Sequence, residues 1–299
     1  MSFMFFMVNN PGKGGLSMKD RAIAFDFDGT LVHSGHDKNV HVMYAAYVAC
    51  ATTAFRRFLH PEDAGRDLER LLRALLPYPG APRFQQLAAL LNGLIHDRPV
   101  VVEAPAGLGL EPELAAEYER VRQAFNTVYS ALNDAAAAKY WKAYPTALET
   151  IPRLASDFDL YIASGIPQDI LEADLQRHGY DRRTFQAVWG ANPQGGADKA
   201  EHLQRIKARG YRDVLFVGDA TRDLEYAQEA GVKFFRYEAP EDFPRLATLV
   251  RGSFPDRAEP WSWSEADIAF FRGKSLRLVE ALLAGHPPTP AEATDLIHA

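Results

Sequence analysis

Arg21-Ala22-Ile23-Ala24-Phe25-Asp26-Phe27-Asp28-Gly29-Thr30-Leu31 is the stretch on which the fold turns. Its apolar run is short and stops abruptly at two aspartates and a Gly-Thr turn, the pattern of a buried strand. Carboxylates at i and i+2 project to the same side of an extended chain. Gly29 permits a tight turn and a close backbone approach. Alone, the segment fits an Asp-Gly turn closing a hairpin about as well, so the rest of the chain must decide.

Four later runs have the same character: Phe158 to Ser164, Ala187 to Gly190, Val214 to Asp219 and Val232 to Arg236. Helical stretches separate them, at Thr146 to Ala155, Pro167 to His178, Ala197 to Arg209 and Arg222 to Ala230. Gly179, Gly210 and Gly231 stand where the last three should stop. Strands alternating with helices predict an α/β, Rossmann-like parallel sheet with helices on both faces. Ligands of such sheets sit at the carboxyl ends of the strands.

Ser34 to Ala143 breaks the alternation. It is rich in Ala, Leu, Arg and Glu, with helical stretches at Val42 to Leu59, Glu62 to Leu76, Phe84 to His96 and Glu111 to Lys139. Pro77, Pro79, Pro82, Pro99, Pro105 and Pro112 punctuate it. The expected organisation is a core from residues 1–33 and 144–252, an inserted all-helical domain over 34–143, and a C-terminal helical extension over 253–299. In the extension, Gly252 to Pro260 reads as a loop, and Ser264 to Leu283 as a surface helix with an acidic start and basic middle. Met1 to Val8 is apolar but too short for a membrane span and lacks the basic flank of a signal peptide. Asn9 to Gly15 reads as a turn-rich link, and Gly12-Lys13-Gly14-Gly15 lacks the order of a phosphate-binding P-loop.

A net charge of -6 gives no electrostatic footprint for nucleic acid and no polybasic membrane patch. One cysteine, Cys50, excludes an intramolecular disulfide and a thiolate metal cluster, and suits the cytoplasm. Monomer and homodimer are both compatible with these properties.

Three further motifs follow the first. Ser164-Gly165 ends the second strand, where a hydroxyl and backbone N–H groups can hold an anionic oxygen, or Ser164 can simply cap a helix. Lys199, in Gly195-Gly196-Ala197-Asp198-Lys199, lies near a helix start, where its charge works against the helix dipole; a solvated surface lysine is the ordinary alternative. Gly218-Asp219-Ala220-Thr221-Arg222-Asp223 ends a strongly apolar strand. One helical turn brings Asp219 near Asp223, and clustered hard oxygens with like charge suit Mg²⁺.

Taken in this order, the four motifs resemble the haloacid dehalogenase-like superfamily, in particular its branch similar to phosphoglycolate phosphatases. The resemblance covers about residues 20–33 and 144–237, and the inserted helices resemble the cap domain placed there in that family. It implies a Mg²⁺-dependent phosphatase of small phosphorylated metabolites, with Asp26 as nucleophile and Asp28 as general acid/base. Ser164 and Lys199 complete the implied catalytic set. Asp26, Asp28 (through its backbone carbonyl), Asp219 and Asp223 form the implied metal set. Thr30, Ser164, Gly165 and His33 are the substrate-side candidates, and His36 and His41 extend the histidine group at the cap hinge. Asp28 argues against dehalogenation, and against phosphonate hydrolysis by a cap lysine, for which Lys38 is nearest. A sugar-phosphate mutase, or a silent binding protein of the same fold, remains open. The resemblance fails at His33, where the family commonly has an acid, in the length of the insertion, and over the tail from Gly252.

Overall fold

The computed structural model describes residues 18–78, 81, 83–96, 110, 112–191, 199–256 and 260–299. The N-terminal stretches Met1 to Val8 and Asn9 to Gly15, the residues Gly195 to Asp198 before Lys199, and Pro79, Pro82, Pro99 and Pro105 lie outside that set.

Five strands form one sheet: β1 (Arg21–Phe25), β2 (Asp159–Pro167), β3 (Phe185–Ala191), β4 (Asp213–Gly218) and β5 (Lys233–Arg236). Their order is β3-β2-β1-β4-β5 and every pairing is parallel. The α/β expectation therefore holds, and the hairpin alternative for Asp26 to Gly29 is excluded, because β1 lies centrally between two parallel partners. Ile23 and Phe25 of β1 face one apolar layer, with Leu160, Ile162, Leu215 and Val217. Ala22 and Ala24 face the other, with Tyr161, Phe216, Leu203 and Phe234. A strand buried on both faces needs an unbroken apolar run rather than alternation, which is what Ala22 to Phe25 supplies.

Four helices accompany the sheet's later strands: α5 (Pro145–Asp157), α6 (Gln168–Arg177), α7 (Lys199–Lys207) and α8 (Thr221–Ala230). α9 (Asp242–Leu249) packs beside α5. The inserted segment is helical where described, with α1 (Gly35–Ala51), α2 (Ala64–Leu75), α3 (Arg83–His96) and α4 (Pro112–Lys139). Val42 to Leu59 is not one helix: α1 starts earlier and ends at Ala51, and a short 3-10 turn covers Ala54–Phe58. Thr52 and Thr53 account for the break, since their hydroxyls donate back to the carbonyls of Val48 and Ala49.

The tail differs most from expectation. α10 (Glu265–Leu283) is capped by Ser264 as its sequence suggests, but it is not a surface helix. Phe271, Leu278 and Val279 are buried in the same apolar cluster as Met43, Tyr47, Leu68 and Leu72 of α1 and α2. The apolar spacing of Phe271, Leu278, Val279 and Leu282 marks one helical face, and the charges between them obscured it. A further helix, α11 (Pro290–His298), was not anticipated, although Thr289-Pro290-Ala291-Glu292 is a capping box in which Thr289 and Glu292 bond reciprocally. Its Ala293 and Ile297 join the same cluster. Lys139 and Tyr140, at the end of α4, both bond Asp295.

Candidate active site

The carboxyl end of β1 delivers Asp26 directly into the space between β2 and β4. Its backbone N–H continues the ladder to the Val217 carbonyl at 2.8 Å. The chain then tightens, with the Leu31 N–H bonded to the Phe27 carbonyl at 2.8 Å. Gly29 adopts a φ of 77°. A side chain there would be strained, and its Cβ would lie 2.2 Å from Asp219 Oδ2. Gly218 does the same service for Asp223, whose Oδ2 would meet a Cβ at 2.5 Å. Two glycines thus make room for two acids.

Asp26, Asp219 and Asp223 each offer a carboxylate oxygen, and these oxygens lie within 4.8 Å of one another. Lys199, the first residue of α7, reaches Asp26 Oδ1 at 2.9 Å and Asp223 Oδ1 at 2.6 Å. It is 4% exposed, so the solvated-surface reading of this lysine fails. Asp223 also accepts the Ala220 N–H at 3.1 Å, closing the start of α8. It therefore plays the helix-capping part and the clustered-acid part together.

Burial pushes the Asp26 carboxyl well above the ordinary carboxylate range, with Asp223 and Asp219 adding to the shift and Lys199 opposing it. Burial, then Asp223, raise Asp219 to about 7. Burial disfavours the charge on Lys199, but Asp223 and Asp26 outweigh it and hold the ammonium well above the usual lysine value. Two buried carboxylates and a half-buried third lie around one ammonium. That surplus of negative charge on hard oxygens fits a divalent cation such as Mg²⁺, and Asp26, Asp219 and Asp223 are the residues that would hold it.

Asp28 is outside this cluster. Its Oδ1 accepts from Ser34 Oγ at 2.8 Å, and its Oδ2 pairs with the ammonium of Lys38 on α1. Its carboxylate is not among the convergent metal donors, which leaves its expected metal contact to its backbone carbonyl. Ser164 does not cap α6: the helix starts after Pro167 with no side-chain cap. Its hydroxyl instead accepts the Ile166 N–H at 3.2 Å, and with Gly165 it lines the cavity.

Thr30 departs from its expected place against substrate. It is fully buried, and its hydroxyl donates to Asp219 Oδ1 at 3.1 Å, so it orients an acid instead. His33 and His36 both line the cavity. His33 packs edge-on to Tyr144, and His36 lies 3.0 Å from Asp267 of α10. His41 does not belong with them. It is fully buried, stacked on Trp141 and bonded to Asn133 at 2.7 Å, which makes it a core residue.

The cavity of about 590 Å³ brings Asp26, Asp28 and Lys199 together with Tyr144, Tyr237 and Arg236 of the core, Arg83 and Tyr129 of the inserted helices, and Trp261 and Trp263 of the tail. Sequence reasoning passed over most of these. The closely spaced tryptophans Trp261 and Trp263, in a loop otherwise poor in apolar residues, were the signal available.

A family model for haloacid dehalogenase-like hydrolases matches residues 21–231. No curated protein matches the chain. Among solved structures, a haloacid dehalogenase-like family hydrolase from Streptococcus pneumoniae is 16% identical, covers 89% of this chain and 98% of its own, and gives a TM-score of 0.46. A predicted phosphatase from Clostridium acetobutylicum is 15% identical over 79% of this chain and 99% of its own, with a TM-score of 0.48. A predicted phosphoglycolate phosphatase from Haemophilus somnus is 19% identical over 74% and 85%, with a TM-score of 0.44. With its family model spanning β1 to β4 and the inserted helices between them, well over half of the chain, this chain belongs to the haloacid dehalogenase-like hydrolases.

Proposed function

We propose that the chain is a Mg²⁺-dependent phosphatase that hydrolyses a small phosphate monoester through an aspartyl-phosphate formed on Asp26. The observation that carries this reading is the clustering of Asp26, Asp219 and Asp223, the first and last of them paired with the ammonium of Lys199, beside a cavity. When bound, the metal ion supplies positive charge that offsets repulsion between the carboxylates and the phosphoryl oxygens.

A carboxylate oxygen of Asp26 attacks phosphorus, and the bond from phosphorus to the ester oxygen breaks. The electron pair leaves on that oxygen, which takes a proton from the Asp28 carboxyl. Asp28, now ionised, accepts a proton from a water whose oxygen bonds to phosphorus; the bond from phosphorus to the Asp26 oxygen breaks, its electron pair returns to the Asp26 carboxylate, and inorganic phosphate departs. Ser34 and Lys38 keep the Asp28 carboxyl in place between the two steps. Ser164 and Gly165 offer a hydroxyl and a backbone N–H to the phosphoryl oxygens, and Lys199 holds Asp26 in line. The reading puts the enzyme in the cytoplasm, where buried Cys50 stays reduced.

The test is phosphate release from a panel of phosphorylated metabolites, with Mg²⁺ and with a chelator. Turnover that needs Mg²⁺ and disappears in Asp26→Asn, while the variant keeps the wild-type unfolding midpoint, is the expected result. Full activity of Asp26→Asn refutes the covalent mechanism.

A further inference from the structure

We propose that the leaving group of the substrate carries a planar ring, and that Trp261 and Trp263 of the tail are the wall that selects it. This deepens the phosphatase reading and rests on it. A cavity of about 590 Å³ is sized for a ligand of many atoms, far more than a phosphoryl group with a two-carbon stub.

The two indoles are fixed before any ligand arrives. The Trp261 carbonyl accepts from Thr221 Oγ1 at 2.7 Å, which ties it to the start of α8, between Asp219 and Asp223. Its ring is stacked on Phe234, with centroids 6.1 Å apart at 18°, and the Arg236 guanidinium lies 4.2 Å from its centroid. Trp263 is held edge-on against Phe271 of α10 at 4.4 Å. One indole is thus anchored to the sheet layer and the other to α10, which packs on the inserted helices, and both remain half-buried at the cavity wall. Aromatic planes held rigid by their own packing stack on a flat ring at little entropic cost. A saturated sugar offers them only the C–H groups of one face, a weaker match than an aromatic plane, and an acyclic chain offers no flat face. Arg83 lies 4.5 Å from the Tyr129 ring centroid, and its planar fork can meet polar atoms on the edge of such a ring.

Nucleoside 5′-monophosphates and simple aryl phosphates share this chemistry, and the test separates them. The kcat/KM for phosphate release is compared for uridine 5′-monophosphate, phenyl phosphate, glucose 6-phosphate, glycerol 3-phosphate and phosphoglycolate, on the full chain with Mg²⁺. The expected result is a preference for the two ring esters. In Trp261→Leu and Trp263→Leu the ratio of ring to acyclic turnover should fall roughly 5-fold or more, the scale of lost base–aromatic stacking. A preference for uridine 5′-monophosphate over phenyl phosphate assigns a ribose contact as well, and the reverse assigns the ring alone. Phosphate release without ring preference, or variants that lose both classes equally, overturns the inference and leaves the phosphatase reading standing. No release from any ester refutes the phosphatase reading itself.

Discussion

Replacing Lys199 with Met removes the ammonium while keeping much of the side-chain volume, and the consequence for stability can be worked out. Its Nζ lies 2.9 Å from Asp26 Oδ1 and 2.6 Å from Asp223 Oδ1, with all three side chains no more than 6% exposed. Left without it, the acids would be uncompensated buried charges, a loss of about 3–5 kcal/mol. The chain can escape part of that by binding one proton on the acid pair. Against an ordinary aspartate at 3.8, holding that proton at pH 7 costs about 4 kcal/mol, at about 1.4 kcal/mol per pH unit. The two limits agree, so the variant should lose about 4 kcal/mol at pH 7. The folded variant then carries one proton more than its unfolded chain above pH 3.8, so its stability falls as pH rises. At pH 5 the deficit should shrink to about 1.6 kcal/mol by the same slope. Urea unfolding of variant and wild type in a chelator, at pH 5, 6 and 7, measures the difference. A variant as stable as wild type at pH 7, or a deficit that does not change with pH, refutes the account of Lys199 as the counter-ion of this cluster.

Other outcomes follow from other parts of the molecule. Gly29→Ala must place a side chain at a φ of 77° and against Asp219. It should lose at least about 10-fold in kcat/KM, and about 1–2 kcal/mol of stability, measured by phosphate release and urea unfolding. Burial lowers the His41 imidazole to about 4 from 6.5. The unfolded chain therefore binds the extra proton first, and stability falls as pH drops from 6.5 toward 4, by up to about 3 kcal/mol. His41→Leu should flatten that part of the pH–stability curve relative to wild type. Leu278→Ala opens a void in the tail's contact with the inserted helices and should cost about 2–5 kcal/mol, read as a lower unfolding midpoint.

The sheet was legible because its signal is local. Each strand is a short apolar run ended by a polar residue or glycine, and the residue at that end, Asp26, Ser164 or Asp219, marks the site's edge. Lys199 was legible as a position but not as a buried cation, since nothing near it in sequence shows that Asp26 and Asp223 await it. The bond from Thr30 to Asp219 was not legible for the same reason: the two residues are far apart along the chain. His41 looked like a neighbour of His33 and His36 by number alone. Helical rotation in α1 turns it instead toward Asn133 and Trp141. The tail was the hardest part. Its apolar face is interrupted by Arg272, Lys274 and Arg277, and a helix reads as exposed until the surface it covers is known.

The bond from Thr221 to the Trp261 carbonyl bears on how the molecule can move. The chain leaves the sheet layer for the helical layer near His33, returns near Lys142, and crosses again with the tail. The first two crossings lie side by side, joined by the His33 N–H to the Lys142 carbonyl at 2.9 Å. A paired crossing of that kind gathers these two links between the layers along one edge, as a hinge would. The third crossing is fastened at Trp261 on one leaf and at Trp263 on the other, so any swing must be taken up within the tail itself. Were the layers to part to admit substrate, the Thr221 bond to the Trp261 carbonyl or the Trp263 contact with Phe271 would have to yield, which makes the tail a third tie between layers that the paired crossing alone would leave joined along one edge.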